Sequence, residues 1–350
     1  MERQVAGRLR WKWAAAVTVV AIVTALGAGV AGQGSTYQPP RTPWGDPDLQ
    51  GKWPGTEMVG VPMQRDPKLG GRNLLTEEEF VARRAQFERQ AAQDEADFDL
   101  ETAASTPGGD VGGPVSPPPH WLERGKPQYQ ASLIVDPPDG RTPALTPDAQ
   151  QRAQALAAAR KQRGPADSYT DRSLYDRCIT RGIAGSMLPV IYNNGNQIVQ
   201  APGFVVIRNE MIHETRIVPL DRRPHVDDRI KLWMGDSRGY FDGNTLVVET
   251  RNFDPRTSGI GVNGGGGRIS DALVVTERFT RISDTVLRYQ ATVNDPKTWT
   301  RAWTYEFPLT RDDGYGFYEY ACHEGNYSLF NILSGHRADE KAVAEAAKGR

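Results

Sequence analysis

From about Met187 onward apolar residues recur at every second position, and that period confines the second half of the chain to β-strands. Leu273–Arg281 shows it most clearly. Leu273, Val275, Glu277 and Phe279 share one face and Arg278 takes the other, because successive side chains on a strand point to opposite sides. The same pattern marks Gln197–Ala201, Phe204–Arg208, Met211–Pro219, Ile230–Trp233, Thr245–Thr250, Val286–Val293, Arg301–Phe307 and Phe317–His323. Asn193-Asn194-Gly195, Pro202-Gly203, Asp242-Gly243-Asn244 and Ser283-Asp284 supply the turns, and such short connections favour an antiparallel meander. So many strands need closure or stacking to limit their open edges. The expected fold is therefore mainly β, a calycin- or lipocalin-like barrel, with a β-sandwich as the alternative.

The N-terminus reads differently. Arg3, Arg8, Arg10 and Lys12 precede an apolar run from Ala14 to Leu26, and the small residues Gly29 and Ala31 suit a signal-peptidase site. Residues 1–32 are expected to be a signal peptide, placing the protein in the periplasm or outside the cell. The alternative is an inner-membrane anchor over residues 14–32, the one route by which a membrane becomes a partner. A net charge of -1 gives no bulk attraction to nucleic acid. Cys178 and Cys322 either pair in an oxidising compartment or remain separate buried thiols.

Between these parts, residues 33–185 form an irregular, partly helical region. Residues 33–72 are extended and punctuated by Pro and Gly. Thr76 and Glu79 form a capping box for a helix whose weak apolar stripe is Phe80, Phe87, Ala91 and Phe98. Residues 105–119 read as a linker. A short strand is expected at Ala131–Val135. A second helix begins at Thr146 with Pro147 in its first turn and stops at Gly164-Pro165, and a third helical piece near Asp171–Arg181 carries Cys178. The barrel domain spans 186–338 and a tail 339–350.

Candidate site residues follow from facing. Glu277 points where the core should be, so it must be paired, protonated or directed into a cavity. Tyr289, Trp303 and Tyr305 share that interior, and an apolar, aromatic lining with a few polar groups fits a small-molecule pocket as well as a filled core. Asp236 and Arg238 are clustered polar groups between apolar strands. Arg238 suits a carboxylate or sugar hydroxyls, whereas Asp236 and Ser237 also suit backbone donors of a turn. On a strand Met211–Pro219, His213 would share a face with Met211 and Ile217, and Glu214 would pair with Arg216. Adjacent Cys322 and His323 point apart on a strand and cannot act on each other. The histidines have no metal-ligand spacing, so no metal or other cofactor is expected. Gly259-x-Gly261-x-x-Gly264 lacks the strand and helix a dinucleotide site requires.

The blocks Trp233-Met234-Gly235-Asp236-Ser237-Arg238-Gly239 and Tyr318-Glu319-Tyr320-Ala321-Cys322-His323-Glu324-Gly325-Asn326-Tyr327, with neighbouring stretches over most of residues 130–335, resemble a group of secreted proteins from environmental bacteria with no assigned activity. The resemblance implies export and a shared β-rich fold, and carries no catalytic residues. The leading functional expectation is an exported barrel binding a small, partly apolar ligand through Arg238, Asp236, Glu277, Tyr289, Trp303 and Tyr305. One alternative is an extracytoplasmic hydrolase, lyase or isomerase with Glu277, His213 or His323 as acid and base. The other is an interaction module docking through Trp44, Trp53 and Trp121, unless the first half wraps the β domain as a strap that buries Trp44 and Trp53.

Overall fold

The computed structural model describes residues 37–95, 122–257, 260, 269–324 and 326–348. The N-terminal run, the linker at 105–119, Phe98, Trp121 and the fingerprint glycines Gly259, Gly261 and Gly264 lie outside them, and Pro39–Arg350 forms one compact unit.

The strands are β1 (Gly51–Lys52), β2 (Ile134–Asp136), β3 (Asn196–Ala201), β4 (Phe204–Asn209), β5 (Thr215–Pro219), β6 (Asp236–Asp242), β7 (Thr245–Arg251), β8 (Val274–Arg281), β9 (Val286–Asn294) and β10 (Trp303–Thr310). They pair, all antiparallel, into two sheets: β1-β3-β4-β5 and β2-β10-β9-β8-β7-β6. Hairpin connections link β3 to β4, β6 to β7 and β8 to β9, as the alternating pattern requires. Gly203 and Gly243 take the positive φ their turns need (81° and 58°), a conformation costly for residues with a Cβ.

The core lies between the sheets. Val275, Glu277, Phe279 and Arg281 of β8, Leu287, Tyr289, Ala291 and Val293 of β9, and Trp303, Tyr305, Phe307 and Leu309 of β10 are all buried. Val205 and Ile207 of β4 and Arg216 and Val218 of β5 are buried as well. The inner faces expected for Leu273–Arg281, Val286–Val293 and Arg301–Phe307 are thus the observed ones.

Three expected strands differ. Met211–His213 is a turn of 3-10 helix, and only Thr215–Pro219 is extended. Ile212 (φ 54°) and His213 (φ 45°) take left-handed backbone, which breaks the two-residue period. As a result Met211 is buried while His213 and Ile217 are exposed. Ile230–Trp233 contributes only a bridge from Leu232 to Phe253, and Phe317–His323 is irregular.

The described segments of the first half lie along the sheets, β1 pairing with β3 and β2 with β10. Trp53 is sealed, its indole N–H donates to Leu49 O at 2.8 Å, and its backbone N–H donates to Asn196 O at 2.7 Å. Trp44 stays at the surface, donating to Asp46 at 3.0 Å.

Helix α1 (Glu77–Glu95) carries the expected box: Thr76 Oγ1 accepts from Glu79 N at 3.3 Å, and Thr76 N donates to Glu79 Oε2 at 2.8 Å. Helix α2 (Pro147–Lys161) is capped by Thr146 and buries only Ala149, the thin stripe its Ala, Gln and Arg content allows. The third helical piece is a 3-10 turn at Tyr169–Asp171, after which Cys178 is left-handed (φ 56°). A short buried helix, α3 (Gly182–Met187), follows. Helix α4 (Tyr327–Lys348) runs through the expected boundary at 338/339 and has no buried residue. Among the described residues no helix is long and apolar enough to cross a membrane.

Candidate functional site

The interior is built around a buried charge pair. Arg216 on β5 reaches from one sheet to Glu277 on β8 of the other, with Nη1 donating to Oε2 at 2.5 Å and Nη2 to Oε1 at 2.9 Å. The Tyr289 hydroxyl donates to Oε1 at 2.9 Å. Both partners are almost wholly removed from water, at 4% and 0% side-chain exposure. Burying such charges is tolerable only because the guanidinium fork matches the carboxylate and the phenol adds a third donor. Burial first, then the Glu277 charge, pushes the Tyr289 phenol well above its ordinary range. Arg216 therefore pairs with Glu277 and not with Glu214, whose carboxylate accepts from Thr180 Oγ1 and from Ser186 Oγ at 2.8 Å. Burial raises the Glu214 carboxyl.

Glu277, Tyr289, Trp303 and Tyr305 are brought together as the alternation predicts, but as one another's packing partners. Tyr289 meets Phe279, Tyr305 and Phe307 at centroid distances of 5.0, 6.1 and 5.2 Å. Trp303 stacks edge-on to Trp299 at 5.6 Å. A cavity beside this core, lined by Ile183, Phe253, Leu273 and Val275 among others, holds about 10 Å³, room for roughly one water. Phe279, Tyr289, Trp303, Tyr305, Phe307 and the Arg216–Glu277 pair are all buried against one another, so they occupy the place where the hollow was expected.

Arg238 and Asp236 meet at the edge of β6. Arg238 Nη1 donates to Asp236 Oδ1 at 2.6 Å and to Ser237 O at 2.8 Å, and its Nε donates to Pro224 O at 3.1 Å. Asp236 Oδ2 accepts from Val226 N at 3.1 Å and contacts His225 Nδ1 at 2.9 Å, while His225 Nε2 stands 3.4 Å from Glu249. These groups satisfy one another and fasten the loop at 224–226 to the sheet. Glu277 is sealed, whereas His213 and His323 are exposed. The three candidate acid–base residues therefore do not meet around one substrate position, and an enzyme built on them has no geometric support.

The second concentration of polar groups joins three chain segments, two of which carry the cysteines of the disulfide. Cys178 and Cys322 are bonded, with Cα atoms 5.6 Å apart. The bond ties Tyr315–Asn326 to the segment before α3 and is consistent with an oxidising, extracytoplasmic compartment. Beside it three phenols converge: Tyr175 Oη lies 2.6 Å from Tyr192 Oη and 3.0 Å from Tyr320 Oη. The Tyr192 and Tyr320 rings stack at 6.5 Å. The buried guanidinium of Arg181 lies over the Tyr175 ring at 4.9 Å. Burial, chiefly, pushes Tyr175 and Tyr192 up to about 12, so both phenols stay protonated at neutral pH.

Around this triad the backbone is held in costly conformations. His213 Nδ1 sits 2.9 Å from Tyr320 O, and Asn193, Cys178, Ile212 and His213 all have positive φ. Such geometry persists only where the surroundings over-determine it. At Asn193 Glu210 does so: it is buried and accepts from Asn193 Nδ2 (3.0 Å), Gly195 N (3.2 Å), Tyr318 N (3.1 Å) and Tyr315 Oη (2.8 Å). Tyr315 Oη also lies 2.8 Å from Glu123, and burial and the two carboxyl groups drive its phenol far upward. Sequence reasoning reached Cys178, Cys322 and the block Tyr318–Tyr327 that contains Tyr320, but missed Tyr175, Tyr192 and Arg181. They sit in an irregular segment with no period to read. The one signal available was two aromatic hydroxyls flanking the cysteine segment on its N- and C-terminal sides.

No family model, curated protein or solved structure matches the chain.

Proposed function

We propose that the chain is an extracytoplasmic small-ligand-binding protein whose recognition surface is the tyrosine triad under the disulfide and not the space between the sheets. The observation that carries this reading is the convergence of Tyr175, Tyr192 and Tyr320 at 2.6 and 3.0 Å on a framework pinned by a covalent bond and strained backbone. Preorganised, half-buried donors of this kind are what a binding site requires, and the sheet core supplies the rigid support. Neutral phenols backed by the Arg181 charge offer hydrogen-bond donors, so the ligand class is a small molecule bearing a carboxylate. A leader at residues 1–32 with cleavage near Ala31, and a periplasmic or secreted destination, accord with the disulfide.

The same reading takes the two sheets as one interrupted, calycin-like barrel with a solid interior. Its support is the seam between β5 and β6. There Gly239 leaves room for β5 side chains to pack on β6: a Cβ would stand 2.8 Å from Val218 Cγ1.

The test is a titration of the full chain with monocarboxylates and sugar acids by calorimetry, beside Y192F and Y320F variants. These keep the rings and remove one hydroxyl each. Binding to the wild type that weakens at least about tenfold in both variants, one charge-assisted hydrogen bond's worth, is the expected result. Binding of equal strength in all three proteins would place the ligand elsewhere.

A further inference from the structure

Asp167, His336 and Glu340 meet where α4 crosses the turn after α2. Asp167 Oδ1 stands 2.9 Å from His336 Nε2, and Glu340 Oε1 stands 3.6 Å from the same nitrogen. All three donor atoms fall within 4.8 Å of one another. A tetrahedral zinc ion with bonds of about 2.0–2.1 Å separates its donors by about 3.3 Å, between the two shorter spacings seen here. His336 and Glu340 are four residues apart on one helix, so they project from the same face.

The surroundings orient each donor. Asp167 Oδ2 accepts from Gly164 N at 2.8 Å, which turns Oδ1 toward the imidazole. Arg337 holds Glu340 through Nε to Oε2 at 2.7 Å and Nη2 to Oε1 at 2.8 Å, and each oxygen keeps a free lone pair. Arg163, the other nearby cation, is engaged by Asp171 at 2.9 Å. Outer hydrogen bonds that fix the direction of carboxylate ligands are a regular feature of metal sites. Gly164 also leaves room for the three groups to meet: a Cβ there would stand 2.4 Å from Asp167 Oδ1 and 2.7 Å from His336 Nε2.

We infer that Asp167, His336 and Glu340 form a zinc site that clamps α4 to the body of the protein. Three protein ligands, one imidazole and two carboxylates, leave a fourth position for water or an outside ligand. Two carboxylates balance the ion's charge, and an imidazole ligand disfavours calcium and magnesium, which take oxygen. An open groove of about 440 Å³, lined by Asp167, Tyr169, Phe330, Leu333 and Arg337 among others, shares the aspartate with the site.

The experiment titrates the untagged full chain with zinc chloride by calorimetry, and with cobalt chloride by visible absorption. It is run beside H336A and E340Q. E340Q leaves the Asp167–His336 contact in place, so it separates a metal ligand from a mere helix-fastening ion pair. The expected result is one zinc per chain, a cobalt spectrum of tetrahedral intensity, and affinity at least about tenfold lower in both variants, with the metal-free E340Q protein melting as the wild type does. No stoichiometric zinc binding by the wild type, or a zinc affinity in E340Q or H336A equal to the wild type's, would overturn the assignment.

Discussion

Replacing Glu277 by Gln tests the interior directly. The substitution keeps the size of the side chain and one acceptor for the Tyr289 hydroxyl, but leaves the Arg216 charge 4% exposed with no counter-charge in its fork. Breaking a buried pair by removing one partner costs about 3–5 kcal/mol, much of it the penalty of the orphaned charge. With an unfolding entropy of about 2.1 cal/mol/K per residue over a unit the size of Pro39–Arg350, each kcal/mol moves the melting temperature by about 1.5 °C, so E277Q is expected to lower it by about 5 °C or more. The double variant R216M/E277L replaces both charges by apolar groups of similar volume and should recover most of that loss. Urea unfolding of the wild type, R216M, E277L and R216M/E277L, followed by tryptophan fluorescence, closes the cycle, with E277Q measured beside them. A cost below about 1 kcal/mol for E277Q, or a double variant less stable than either single, would refute the claim that the pair is sealed between the sheets.

Two further outcomes follow from the same geometry. Glu79, hydrogen-bonded first by Arg72 and then by Thr76 N, has its carboxyl lowered to about 2. The depressed value means that its support of α1 is complete above the unfolded carboxylate range and is lost only as pH falls through about 2. Carboxyl-carbon NMR should give a midpoint near 2 that R72A moves up toward 4, and an ordinary midpoint in the wild type would remove the capping box. The disulfide closes a loop with a sequence separation of 144, for which the chain-entropy model gives about 5 kcal/mol. C178A/C322A should lose up to that amount, and in an absorbance titration Tyr175 and Tyr192 should fall from about 12 toward the ordinary phenol value. Unchanged titration would show that the triad does not depend on the bond.

Legibility in the sequence followed the strength of periodic signals. Facing in β8, β9 and β10 was readable because one side chain in two meets the core, and Glu277 stood out as the polar exception on that face. The capping residues Thr76 and Thr146 were readable because the motif is local. Arg216 was assigned the wrong partner because its true one lies on the other sheet, 61 residues away. Met211–His213 looked like the start of a strand because left-handed backbone at Ile212 has no side-chain signature. Helix α4 went unread beside the cysteine block, although Asn326 caps it, accepting from Leu329 N at 3.3 Å, and the Ala, Glu and Lys content from Ala338 onward favours helix. The triad, and Asp167 with the His336–Glu340 pair, each join segments far apart in the chain; the i,i+4 spacing links only the last two residues.

The placement of recognition on the disulfide-pinned face is tested most directly by fluorine NMR of the chain labelled with 3-fluorotyrosine, titrated with the carboxylate that binds best. Resonances of Tyr175, Tyr192 and Tyr320 should shift while those of Tyr289 and Tyr305 stay still. Shifts at Tyr289 and Tyr305 with a silent triad would mean that the ligand enters between the sheets, and the account would be wrong.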